Sequence, residues 1–125
     1  IAIPTSALSA KESMMKSISI CRPGLPLSEI GKTIQSMCEP KGFSVVRDFC
    51  GHGTGTVFYD APNVLHYYER INDKVILQEG MVFTIEPGIY KSDVTGVRIE
   101  DDVVVTKDGV EVLTKFTKEL VVIEG

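Results

Sequence analysis

Apolar residues recur roughly one helical turn apart over residues 5–21, at Leu8, Met14, Met15, Ile18 and Cys21, and this spacing predicts a helix. Thr5 or Ser6 is placed to cap it. Pro23-Gly24 ends it, because proline removes a backbone donor and glycine turns the chain. A second helix is predicted over residues 28–40, with Ser28 as N-cap and Ile30, Ile34, Met37 and Cys38 on one apolar face. Lys41-Gly42 closes it. Gly31 weakens its first turn, which suggests that the two helices pass closely there.

After Gly42 the pattern shifts to short β-rich runs. Phe43-Ser44-Val45-Val46, Val75-Ile76-Leu77 and Met81-Val82-Phe83-Thr84-Ile85 are strand candidates, and residues 97–106 form the longest one. Asp108-Gly109 predicts a hairpin turn, and residues 110–113 and 120–123 are expected to finish the sheet. The expected class is α+β, with two helices covering one face of an antiparallel sheet. The chain shows no internal repeat and no low-complexity segment.

Composition narrows this picture modestly. The 125 residues make one domain's worth of chain, and a 43% hydrophobic share is enough for a core without disulfide or metal staples. The formal net charge of −4 leaves no basic footprint for nucleic acid. No apolar run approaches the ~20 residues that span a bilayer. Cys21, Cys38 and Cys50 lie far apart with no CxxC spacing, which suits reduced core thiols in a cytoplasmic protein. The opening Ile1-Ala2-Ile3-Pro4 does not begin a secretory signal, and reads as the interior of a longer chain.

Few residues can do chemistry. His52 sits in Cys50-Gly51-His52-Gly53-Thr54-Gly55, where small neighbours let other groups approach its ring. That run is neither a dinucleotide fingerprint nor a P-loop. Glu86 ends an apolar strand, and alone it reads best as a strand-end carboxylate facing water. Arg98 and Glu100 share a strand face if Ile99 points the other way, as a surface pair or as part of a polar site. One histidine and two carboxylates make a nitrogen/oxygen set for a divalent ion such as Mn, Fe, Co or Zn. Spacing alone does not bring them together.

Longer motifs do carry a resemblance. Phe43-Ser44-Val45-Val46-Arg47-Asp48-Phe49-Cys50-Gly51-His52-Gly53-Thr54-Gly55 resembles the segment that holds the metal-binding histidine of methionine aminopeptidases. Ala61-Pro62-Asn63-Val64-Leu65-His66-Tyr67 and Leu77-Gln78-Glu79-Gly80-Met81-Val82-Phe83-Thr84-Ile85-Glu86-Pro87 are similar to that family too. So is the first helix ending Arg22-Pro23-Gly24, followed by Ser28-Glu29-Ile30-Gly31. The resemblance covers nearly the whole chain. It implies the C-terminal half of a pita-bread fold, with residues 1–125 as that half. It also implies removal of N-terminal methionine from peptides and nascent proteins. His52 and Glu86 would bind one of two divalent ions, and Glu100 would bridge both. A water made acidic by the metals would attack the scissile carbonyl, with Glu86 serving in proton transfer. Phe58 and Tyr67 would help line the site.

The chain departs from the family's pattern in three places. The family's site needs two upstream aspartates, and Asp48, Asp60 and Asp73 are wrongly placed to supply them. The fragment alone is therefore expected to hold metal weakly or not at all, and to be inactive. Tyr59 stands where the family carries a second histidine that touches substrate; a phenol donates a hydrogen bond but is no proton shuttle near neutral pH. Gly96-Val97-Arg98-Ile99-Glu100-Asp101-Asp102-Val103-Val104-Val105-Thr106 and Glu86-Pro87-Gly88-Ile89-Tyr90 resemble the aminopeptidase P and prolidase branch more closely. The main expectation is a methionine aminopeptidase. The alternatives are a proline-directed aminopeptidase and a pita-bread protein that binds partners without hydrolysis. The expected partners are a peptide N-terminus and the N-terminal half of the same fold. A homodimer of the fragment is the other way to cover its apolar face.

Overall fold

Serine rather than leucine lines the buried face of the first helix. In the computed structural model, which describes residues 5–91 and 93–124 (Thr95 by its backbone alone), α1 (Thr5–Ser19) buries Ser6, Ser9, Ala10, Ser13, Met14, Ser17 and Ile18. The predicted stripe is rotated, and Leu8 and Met15 are 40% and 45% exposed. Small side chains let α1 pack against the second helix and the sheet behind it. The Ser13 and Ser17 hydroxyls donate to the Ala10 and Met14 carbonyls at 3.1 and 2.8 Å, so their burial leaves no donor unpaired. Thr5 and Ser6 are already helical rather than capping; the residue before them lies outside those described.

The second helix, α2 (Ser28–Cys38), buries Ile30, Ile34 and Cys38 as expected, with Met37 half-buried. Its cap differs. Leu27 takes the N-cap position with no side-chain bond, and Ser28 is already inside the helix. A 3-10 turn, Glu39–Lys41, extends it to Gly42, whose φ of 82° reverses the chain. Gly31 does mark a close approach, but not between helices. A Cβ there would strike the Tyr67 and Leu65 carbonyl oxygens, so the glycine seats α2 on the 65–67 backbone.

The strands are all antiparallel and divide into two sheets, not one. They are β1 (Ser44–Val45), β2 (Gly51–Gly53), β3 (Asp60–Val64), β4 (Val82–Ile85), β5 (Gly88–Lys91), β6 (Thr95–Arg98), β7 (Asp101–Val105) and β8 (Val110–Val112). One sheet has the order β1-β5-β6 and the other β3-β2-β4-β7-β8. The class is α+β, with the core between helices and sheets. Leu27, Ile30, Ile34, Phe83, Ile85, Ile89 and Val103 are completely buried there, each worth about 1.5–3 kcal/mol relative to exposure.

The long strand predicted over residues 97–106 is broken at Ile99-Glu100. The chain leaves the smaller sheet after Arg98 and enters the larger one at Asp101. It crosses the other way at Glu86-Pro87, between β4 and β5. The two crossings lie side by side, because Ile85 pairs with Asp101 and Gly88 with Arg98. Proline has no N–H to give, so it interrupts the ladder there.

Other expectations shift for local reasons. Residues 75–77 form a single bridge, Pro26 to Ile76, instead of a strand. The β7–β8 hairpin closes through the four residues 106–109, with Val105 opposite Val110 and the Thr106 N–H bonded to the Gly109 carbonyl. Residues 113–124 run without regular structure, and Leu120, Val121, Val122 and Ile123 are exposed. No strand among the described residues pairs with them. No helix of the described residues is long and apolar enough to cross a membrane.

Candidate metal centre

His52 lies in the middle of β2. Gly51 and Gly53 flank it because the neighbouring backbones leave no room for a side chain. A Cβ at Gly51 would meet the Thr84 carbonyl oxygen of β4, and one at Gly53 the Ala61 carbonyl oxygen of β3. These glycines bring β2 against both neighbours and hold the imidazole, which is 9% exposed.

Two contacts orient the histidine. Its backbone N–H donates to Thr84 Oγ1 at 3.0 Å. Its Nδ1 lies 3.0 Å from the Gly53 carbonyl oxygen. A carbonyl only accepts, so Nδ1 donates to it, and Nε2 is the ring nitrogen left to face the site. That nitrogen faces Glu86 Oε1 at 3.8 Å, too long for a hydrogen bond.

Glu86 occupies the first crossing between sheets. Its Oε1 accepts from the Thr84 hydroxyl at 3.0 Å, and its Oε2 lies 3.9 Å from Arg98 Nε. Its backbone N–H donates to Nε2 of His66 at 3.0 Å. His66 is 1% exposed, and burial, helped by the charge of Arg98, pushes its pKa down to about 4. It is therefore a neutral acceptor under the Glu86 backbone. Its Nδ1 has no partner among the described residues.

Glu100 arrives at the second crossing. One ligand atom from each of His52, Glu86 and Glu100 lies within 4.8 Å of the others. Partial desolvation, then the charges of Glu86 and Asp102, raise the Glu100 pKa, while His52 and Arg98 oppose the shift. Two crowded carboxylates beside an imidazole nitrogen carry more negative charge than the one nearby guanidinium, Arg98 at 3.9 Å from Glu86, offsets. Donors 3.8 Å apart can both reach one ion at roughly 2.1 Å. The donor set therefore fits a divalent cation, with His52 and Glu86 spaced to share one ion.

A cavity of about 480 Å³ opens beside this cluster, lined by Phe49, Cys50, His52, Tyr59, Glu86 and Arg98 among others. The Tyr59 ring packs 4.6 Å from the His52 ring, with Phe58 against both. Arg98 lies over Phe49 at 5.2 Å. Neither Phe58 nor Tyr67 is part of the lining: Phe58 packs on the His52 and Tyr59 rings, and Tyr67 lies beneath Arg47 at 4.3 Å. Asp60 does border the cavity, but its Oδ1 accepts from the Ala61 N–H at 2.8 Å and stays out of the ligand cluster. Asp73 bonds the Tyr68 hydroxyl instead.

Sequence reasoning missed Thr84 and His66 as individual contributors. Thr84 carried one usable signal, since residues two apart on a strand share a face and Glu86 follows at that spacing. His66 carried none outside its motif.

The metallopeptidase family M24 matches residues 9–107. A methionine aminopeptidase of Buchnera aphidicola (subsp. Schizaphis graminum) is 39% identical over 122 residues, which cover 84% of this chain and 46% of that protein. The chain thus spans about half the length of the curated relatives it matches. The solved methionine aminopeptidase of Rickettsia prowazekii superposes with a TM-score of 0.73 at 38% identity, covering 84% of this chain and 49% of that one. The Xaa-Pro dipeptidase of Bacillus anthracis superposes with a TM-score of 0.78 at 32% identity, covering 94% and 32%.

Proposed function

Because the chain belongs to metallopeptidase family M24, we propose that it carries one side of a two-metal aminopeptidase site and forms the C-terminal half of the catalytic domain. His52, Glu86 and Glu100 are its ligands. The function is removal of N-terminal methionine from peptides and nascent proteins, carried out with the other half of the fold. The observation that supports it best is the approach of an imidazole nitrogen and two carboxylates to within 4.8 Å of one another.

The bound ions, of Mn, Co, Fe or Zn type, would polarise the scissile carbonyl and lower the pKa of water. The chain's own residues do the rest. The Gly53 carbonyl keeps the proton on His52 Nδ1 and leaves Nε2 free. Thr84 aims Glu86 through its hydroxyl, so that Glu86 both binds metal and takes part in proton transfer. Tyr59, beside His52, offers a phenolic O–H to the substrate.

A chain joining these residues to an N-terminal half, supplied with Mn or Co, should cleave a Met-Ala peptide, and His52→Ala should abolish cleavage. A metal-loaded, folded protein that cleaves no such peptide would overturn the methionine reading. A proline-directed activity is the second reading. It is favoured by the Val97-Arg98-Ile99-Glu100-Asp101 motif and by the longer overlap with the Xaa-Pro dipeptidase. Xaa-Pro peptides in the same assay separate the two.

A further inference from the structure

Asp101 follows Glu100 directly, yet its side chain belongs to the opposite environment. It is completely buried, on the same strand face as Val103 and Val105. Neither carboxylate oxygen has an aligned hydrogen-bond donor among the described residues. Its cation is Lys118, whose Nζ lies 2.9 Å from Oδ1 with the lysine side chain 20% exposed. A buried carboxylate held by one lysine is costly unless that lysine stays in place.

Lys118 comes from the irregular segment after β8, and that segment is laced to the start of β7. The Asp102 N–H donates to Thr114 Oγ1 at 2.9 Å, and the Leu113 N–H donates to the Asp102 carbonyl at 2.8 Å. Beyond Lys118, Glu119 reaches Lys11 on α1 at 2.7 Å. Asp101 also pairs across the ladder with Ile85, the residue before Glu86. The residue gripped by Lys118 therefore adjoins Glu100 along the chain and, across the ladder, Ile85, the neighbour of Glu86.

We propose that Lys118 is a positioning residue for the metal centre: its ion pair with buried Asp101 locks the β6–β7 crossing and so sets where Glu100 points. The role rests on the metal-site reading above. It gives the C-terminal segment a task at the site that no ligand motif would indicate. Such outer partners commonly change metal affinity by about 10–100-fold.

The test is a titration of these 125 residues, joined to an N-terminal half of the fold, with Co(II) alone, read by absorbance and calorimetry, with thermal unfolding followed in parallel. Lys118→Ala should weaken Co(II) binding by about tenfold, and Lys118→Arg should restore most of it. Asp101→Asn with Lys118→Met removes both charges and avoids an unpaired buried one. That pair should keep its fold and still lose about tenfold in affinity. It decides the matter if Lys118→Ala does not fold. Wild-type affinity in the charge-free pair, or an arginine variant no better than alanine, overturns the proposal. A wild-type joined protein that folds and binds no Co(II) removes the metal reading itself, and this role with it.

Discussion

Thr84→Val tests whether one hydroxyl organises the two proposed ligands His52 and Glu86. Valine keeps the shape of threonine and removes both hydrogen bonds of Oγ1, the one accepted from His52 and the one donated to Glu86, each 3.0 Å. Thr84 is 2% exposed, so water does not replace them. Leaving the His52 N–H unpaired costs about 1–3 kcal/mol, and the bond to a carboxylate contributes about 1.5–3 kcal/mol. The added methyl offsets part of this, for a net loss of about 3 kcal/mol. At about 2.1 cal/mol/K per residue, the 125 residues convert that into a fall in Tm of about 11 °C. Co(II) affinity should fall by about tenfold, because both His52 and Glu86 lose their orientation. Urea denaturation gives the first quantity, provided the m-value is unchanged, and a cobalt titration gives the second. Thr84→Ser keeps the oxygen and should bind metal as wild type. A valine variant within about 0.5 kcal/mol of wild type, with unaltered metal binding, would refute the reasoning. So would a serine variant that loses as much metal affinity as valine.

Gly53→Ala should destabilise by about 1–3 kcal/mol and weaken Co(II) binding, because its Cβ collides with the Ala61 carbonyl; an unchanged urea midpoint would contradict this. His66 titrates near 6.5 when unfolded but only near about 4 when folded, so the unfolded state binds more protons in between. Stability should be full above pH ~6.5 and decline as pH falls towards about 4, by about 3 kcal/mol in total. Denaturation curves at several pH values check this, and His66→Gln should flatten the dependence. Burial raises the Cys21 thiol to about 12, so iodoacetamide at pH 8 should label partly exposed Cys50 well before Cys21 in the native chain; equal labelling read by mass spectrometry would argue against the packing of α1 described above.

Local patterns revealed those features that local physics controls. Both helices appeared near their expected bounds, since turns and breakers act within a few residues. The β4 core strand did too. What periodicity could not reveal was which face of α1 is buried, because serines that bond their own helix look polar in sequence and pack like small core residues. Nor could it reveal the break at Ile99-Glu100. An unbroken run of β-formers predicts one strand, and only pairing with two different sheets divides it. The proposal of Glu86 and Glu100 came from extended motifs rather than spacing, and that of His52 from its glycines in that context; the structure adds that the three side chains approach one another. Lys118 and Asp101 sit 17 positions apart, with no pattern joining them, and their pairing emerges only once the last segment folds back.

Both carboxylates of the proposed centre stand where the backbone changes sheets, while His52 is anchored in the larger sheet alone. A cation held by all three would act as a rivet through a seam. Its occupancy would then govern shear between the two sheets as well as chemistry in the cleft. At a metal concentration about a hundred times Kd, the linkage is worth about 2.7 kcal/mol. That energy would be concentrated at the seam, so amide exchange at Ile85, Gly88, Arg98 and Asp101 should slow on metal addition more than exchange in either helix. In this architecture, losing the ion would loosen a joint before it emptied a pocket.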